Sequence, residues 1–68
     1  MRQVLLRPGE DGFWIAEVPS LPGAISQGKT RDEALANIRE AIDLIEEVLR
    51  ENGDPIPTDQ LTAELVAI

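Results

Sequence analysis

The sequence predicts an α+β domain: a small antiparallel sheet with one helix packed on one face, in the order β-β-β-α-β. Three observations carry this prediction. Short runs of strand-type residues fill the first part of the chain, and Gly- and Pro-containing breaks separate them. Leu35, Ile38, Ile42, Ile45 and Leu49 then recur at alternating steps of three and four, the spacing of one helix face. One such stretch gives one helix, and one helix covers one side of a sheet.

The elements follow in order. Residues 2–7 read as a first strand, with Val4 and Leu6 on one face and Leu5 on the other. The run Pro8-Gly9-Glu10-Asp11-Gly12 is turn chemistry. Pro8 is expected to stop the strand, and Gly9 and Gly12 to supply positive φ. Phe13 to Val18 reads as a second strand, antiparallel to the first across this short loop. Pro22-Gly23 fits the centre of a type II turn, with Pro presetting φ and Gly taking the positive φ that follows. Ala24 to Gln27 is a short third strand, and Gly28 permits a bend into the helix.

Thr30-Arg31-Asp32-Glu33 is a capping box. Thr30 is expected to accept from the Glu33 N–H, and Glu33 to reach back to the Thr30 N–H. Asp32 and Glu33 also suit the positive end of the helix dipole. Ala34, Ala41 and Val48 widen the apolar stripe. Asn52-Gly53 followed by Pro55 is a helix stop, with Gly53 the natural left-handed residue. After a polar connection, Leu61 to Ile68 alternates in a way that suits a fourth strand. Its Ala and Glu residues leave a short terminal helix as the other reading.

Composition narrows the function. A chain of 68 residues is one domain, residues 1–68, and a domain of that size buries only about 60% of its unfolded surface. It has neither Cys nor His, so a disulfide is excluded and a zinc site is not expected. Oligomerisation or a partner is then the remaining source of extra burial. The strands carry apolar residues on both parities: Trp14, Ala16 and Val18 against Phe13 and Ile15. A sheet with one wet face alternates more cleanly. The second face is either covered by another chain or carries ordinary exposed apolar residues.

No stretch reaches the roughly 18 apolar residues of a membrane span. The run from Arg2 to Arg7 is too short for a signal-peptide core, so a cytoplasmic protein is expected. The formal charge is −7. Acids and bases balance in residues 1–30, so the whole excess lies in residues 31–68. That field repels phosphate backbones and attracts basic surfaces. Direct nucleic-acid binding is disfavoured.

Leu21-Pro22-Gly23, Ser26-Gln27-Gly28, Thr30, Glu33-Ala34-Leu35, Asn37-Ile38 and Glu40-Ala41-Ile42 occur in an order and spacing that resembles the HicB family of bacterial antitoxins. Phe13-Trp14 before this block and Gly53-Asp54-Pro55-Ile56-Pro57 after it also resemble that family. The resemblance implies a partial RNase H-like fold. It implies as partner a small basic HicA-like toxin that cleaves mRNA. Many HicB proteins carry a C-terminal DNA-binding domain; this chain ends where such a domain would start, and none is expected.

An RNase H-like fold raises the question of nuclease chemistry. Two-metal cleavage needs carboxylates from several elements converging on metals about 4 Å apart. Strand one has no acid, and most acids fall on the helix away from its apolar stripe, which is the pattern of a solvated face. Without His or Cys, no Ser-His or Cys-His pair forms. An enzyme is not expected, and neither is a cofactor.

The candidate partner-binding residues are Trp14, Glu33, Glu40, Asp43 and Glu47. Trp14 is either an interface anchor or core packing. The four acids form an outward ridge that either steers a basic toxin or serves solubility. Pairing of Glu46 with Arg50 at i,i+4 is expected to neutralise part of it. The function expected is an antitoxin-like binding protein, acting as a homodimer or higher homo-oligomer. The rival is a stand-alone oligomeric scaffold without a toxin.

Overall fold

The computed structural model describes residues 2–60 and 66–68. Strands β1 (Leu5–Pro8), β2 (Trp14–Glu17) and β3 (Ile25–Gly28) are followed by helix α1 (Arg31–Glu51). The sheet order is β1-β2-β3, and both pairings are antiparallel. Helix α1 lies on one face, over β3 and β2. This is the expected α+β arrangement. The expected fourth strand falls mostly on residues 61–65, outside the described residues, and residues 66–68 are in no regular element.

Pro8 was expected to end the first strand, yet it belongs to β1 and pairs with Trp14. The hydrogen-bond alternation explains this. Gly9 N–H donates to the Phe13 carbonyl at 2.7 Å. Stepping back along the ladder, Arg7 and Leu5 turn their backbone groups toward β2, while Pro8, Leu6 and Val4 turn theirs outward. A proline on an outer edge forfeits no ladder bond.

The first turn also differs from expectation. Gly12 takes positive φ (79°), but the second left-handed residue is Asp11 (φ 59°), not Gly9 (φ −100°). Asp is one of the few non-glycine residues that visits this region readily. The second turn forms as expected. Gly23 has φ 87°, and Ala24 N–H donates to the Leu21 carbonyl at 3.0 Å across Pro22-Gly23.

The capping box forms with one change. Thr30 Oγ1 accepts from Glu33 N–H at 3.0 Å, but the Glu33 carboxylate accepts from Lys29 N–H at 3.3 Å rather than from Thr30. At the other end, Gly53 (φ 73°) donates to the Arg50 carbonyl and Asp54 to the Leu49 carbonyl. This is a full Schellman closure.

The core consists of Ala16, Val18, Leu21, Ala24, Ala34 and Ile38, with Val4, Leu6, Trp14, Ala41, Ile42, Ile45 and Leu49 packed around it. Val48, expected to widen the buried stripe, is 46% exposed. Gly28 fixes the distance between sheet and helix. A Cβ there would lie 2.8 Å from the Glu33 carbonyl carbon and closer still to the Ala34 nitrogen. Gly28 is therefore required by close backbone approach, not by a left-handed bend.

The chain after α1 returns to the start of the sheet. Asp59 accepts from Gln3 N–H at 3.1 Å and from the Ser20 hydroxyl at 2.7 Å. Ser20 in turn accepts from Arg2 Nη1 at 3.2 Å. The Ser20 and Gln3 donors hold the Asp59 carboxyl below its ordinary value of 3.8, against a smaller opposing effect of burial.

Two expectations follow. Gly28→Ala forces backbone apart and lowers stability by about 1–3 kcal/mol. For a domain of this size that is a Tm loss of roughly 4–8 °C per kcal/mol, readable by circular dichroism. An unchanged melt would show that α1 does not need this approach. For Asp59 the folded pKa is lowered, so its stabilisation is complete above the unfolded value and disappears as pH falls through the folded one. Asp59→Asn thus destabilises at neutral pH, and the gap to wild type closes below 3.8. Urea melts from about pH 7 down to about pH 2 measure that gap; a gap that stays constant removes the carboxylate from the account.

Candidate functional site

Helix α1 buries Ala34 and Ile38 against the sheet. At 3.6 residues per turn, the opposite side carries Glu33, Glu40, Asp43 and Glu47. All four are exposed. Glu33, Glu40 and Glu47 are seven apart, so they line up with little drift over roughly 21 Å of helix. The expected ridge is therefore present as a surface.

Its members are not equivalent. The Glu33 carboxylate is engaged at the helix start by Lys29 N–H. Glu40, Asp43 and Glu47 have no side-chain hydrogen bond or ion pair among the described residues. The expected pairing of Glu46 with Arg50 gives way to a longer-range one. Arg2 reaches Glu46 Oε2 through Nε at 3.0 Å and Nη2 at 2.9 Å. This two-pronged contact is partly buried, which orders both chains better than a solvent-exposed helix pair would.

Trp14 is not part of the ridge. It lies across from Gly28 on β3, half-buried against the core on the sheet side of α1. The acids face away on the other side.

The structure adds Leu44, which the sequence pattern had not singled out, and exposes Val48, which it had read as part of the apolar stripe. Leu44 is 62% exposed and Val48 46% exposed. Leu44 stands four residues after Glu40 and three before Glu47, which flank it on one side, while Ala41 and Val48 neighbour it on the other. The signal was present in the sequence: Leu44 is apolar but off the three-and-four stripe. Beside the ridge, a groove of about 350 Å³ runs between α1 and the start of the chain. Val4, Leu35, Ile38 and Ile42 give it apolar walls, and Arg2, Arg39, Asp43 and Glu46 give it charge. Asp43 belongs to both surfaces.

Such a face can bind a cationic surface with an apolar centre. Among the described residues no three acids come together closely enough to hold a metal ion, and no helix is long and apolar enough to cross a membrane.

Comparison with known proteins identifies the family. The sequence pattern of the family described as HicB-like antitoxin of bacterial toxin-antitoxin system matches residues 3–67. A UPF0150 protein of Thermoplasma acidophilum is 46% identical over 56 residues, covering 82% of this chain and 81% of that one. A UPF0150 protein of Synechocystis is 52% identical over 46 residues, covering 66% of this chain and 67% of its own. Antitoxin HicB 1 of Photorhabdus laumondii is 37% identical over 54 residues, which span 79% of this chain and 35% of that longer protein. With nearly its whole length matched, the chain belongs to the HicB-like antitoxin family of bacterial toxin–antitoxin systems.

Proposed function

We propose that this protein neutralises a small basic mRNA-cleaving toxin of the HicA type by covering the toxin's RNA-binding surface with the outer face of α1. The observation that carries this reading is the row Glu40, Asp43 and Glu47, exposed and free of ion pairs among the described residues, with the exposed Leu44 beside it. A ribonuclease must present cations to hold a phosphate backbone. Carboxylates at a spacing of one helical turn compete for those cations. Leu44 and Val48, exposed along the edge of the row, supply the apolar contact that charge alone lacks. Inhibition is then steric and electrostatic, with no bond made or broken.

The remaining parts of the reading follow from this. Glu33 extends the acidic row toward the helix start, while Trp14, packed against the core on the sheet side of α1, supports the fold rather than this contact. The protein is not itself an enzyme, uses no cofactor, makes no direct contact with nucleic acid and works in the cytoplasm as a homo-oligomer. Family membership supports the antitoxin role, and the charge and exposure of α1 support the choice of surface.

The test uses the purified chain and the product of the neighbouring gene, where that product is small and basic. Complex formation and loss of RNase activity are expected. The double variant Glu40→Lys, Glu47→Lys should lower the association rate about tenfold or more at low salt, with the difference shrinking as salt rises. Unchanged association and inhibition in this variant would move the contact off α1. No complex with such a neighbour would favour the stand-alone scaffold instead.

A further inference from the structure

The acidic row occupies the outer side of α1, and the groove between α1 and the start of the chain lies on its flank. The floor of the groove reaches the core, where Ile38 is fully buried. Val4, Leu35 and Ile42, each half-buried, form its walls. Arg2 and Glu46 close one end. The guanidinium donates from Nε and Nη2 to Glu46 Oε2 at 3.0 and 2.9 Å, and from Nη1 to the Ser20 hydroxyl at 3.2 Å. Ser20 in turn donates to Asp59 at 2.7 Å. The Arg2 side chain is only 10% exposed, so this end is fixed before anything enters. The other end is open, between the exposed Arg39 and Asp43.

We propose that this groove seats one aliphatic or aromatic side chain of the basic partner that binds the acidic row. The charges of the groove select an apolar occupant. Two cations and two anions line it, so they balance, and Arg2 and Glu46 are spent on each other. It exerts little net pull on a charged group. Water against its apolar walls finds few hydrogen-bond partners, and an apolar side chain displaces that water favourably. At about 350 Å³, the groove is near the small end of ligand sites, which run from about 300 to 1,000 Å³. One large side chain suits it, with the charged residues as a polar rim around the anchor.

Position and area select the partner. Asp43 lines the groove and also belongs to the row, so a partner lying on Asp43 and Glu47 stands at the mouth of the groove. One side of a 21-residue helix offers roughly 31 by 10 Å. A specific interface takes about 800 Å² from each molecule, so a partner on the row has to spread onto a flank. The groove gives that spread an enclosed seat. A second copy of this chain fits poorly there. The −7 excess lies in residues 31–68, and docking another such half beside the row would set like charges together.

This seat rests on the reading of α1 as the partner-binding surface, and binding kinetics separate the two. The probe is the small basic product of the neighbouring gene. Leu35→Phe fills the groove from its wall. It is expected to speed dissociation about tenfold, equally at low and high salt, with the association rate and the thermal melt of the free chain unchanged. The Glu40→Lys, Glu47→Lys variant acts on association instead. An unchanged dissociation rate in Leu35→Phe overturns the groove and leaves the row. No complex with the wild-type chain overturns the row, and the groove with it. Should Leu35→Phe melt lower, methyl NMR of the wild-type complex decides. The Val4, Leu35 and Ile42 methyls are expected to show nuclear Overhauser contacts to one apolar side chain of the probe. Contacts to a second copy of this chain, or to no apolar side chain of the probe, overturn the proposal.

Discussion

The close approach of α1 to β3 is the constraint on which the structure depends. At Gly28 the sheet has no side chain, and the helix backbone at Glu33 and Ala34 occupies the space that one would fill. Ala34 and Ala16 are small and fully buried, as the contact requires. Without that approach, Ile38 would lose its packing, because a short sheet offers few other large partners. Dispersion falls off within an ångström of separation, so a helix lifted by one methyl group would leave a loosely filled layer. The capping hydrogen bond from Glu33 N–H to Thr30 lies in the same segment. Helix start and helix docking are thus fixed by one short stretch, Gly28 to Ala34.

This one-sided packing decides what each surface can do. The face of the sheet under α1 is used up by the core. The opposite face keeps Leu5, Ile15 and Ile25 with balanced charge, and the outer side of α1 keeps carboxylates beside Leu44. These two surfaces differ in sign and in apolar content, so they suit different occupants. A sheet covered on both sides would lose the first surface, and a helix sandwiched between two sheets would lose the second. The small size of the domain is therefore consistent with a binding role: it leaves much of the chain at the surface.

The sequence made the element order legible because its signals were local. The three-and-four stripe, the Thr30–Glu33 cap, the Pro22-Gly23 turn and Gly53 at the helix end each depend on neighbours within a few residues. What it obscured was set by distant partners. Pro8 looks like a terminator until the ladder shows its nitrogen pointing outward. Gly28 looks like a hinge until α1 is placed above it. Glu46 looks like a partner for Arg50 until the start of the chain brings Arg2 within 3.0 Å. For the candidate site, the ridge was legible from periodicity, but Leu44 and Val48 were not. Apolar residues on a helix are read as core by default, and exposure is known only once the width of the sheet beneath is known. Trp14 was undecided for the same reason, since parity alone does not say which face the helix takes.

The length of α1 gives the acidic face its meaning. Strands of four residues span roughly 13 Å, and a helix of 21 residues spans roughly 31 Å. The helix is more than twice as long as the strands it covers, and its last turns still pack Ile45 and Leu49 against the core. Along its outer face Glu40 and Asp43 stand three apart, Asp43 and Glu47 four apart, and Glu47 and Glu51 four apart, with Arg39 four before Asp43 and Arg50 three after Glu47. Each such like-charge pair costs a helix about 0.2–0.5 kcal/mol. A cationic surface laid along the row relieves it, and the relief adds to the binding energy. The acids along this face outnumber Arg39 and Arg50, and under the proposed function a basic partner supplies the remaining balance.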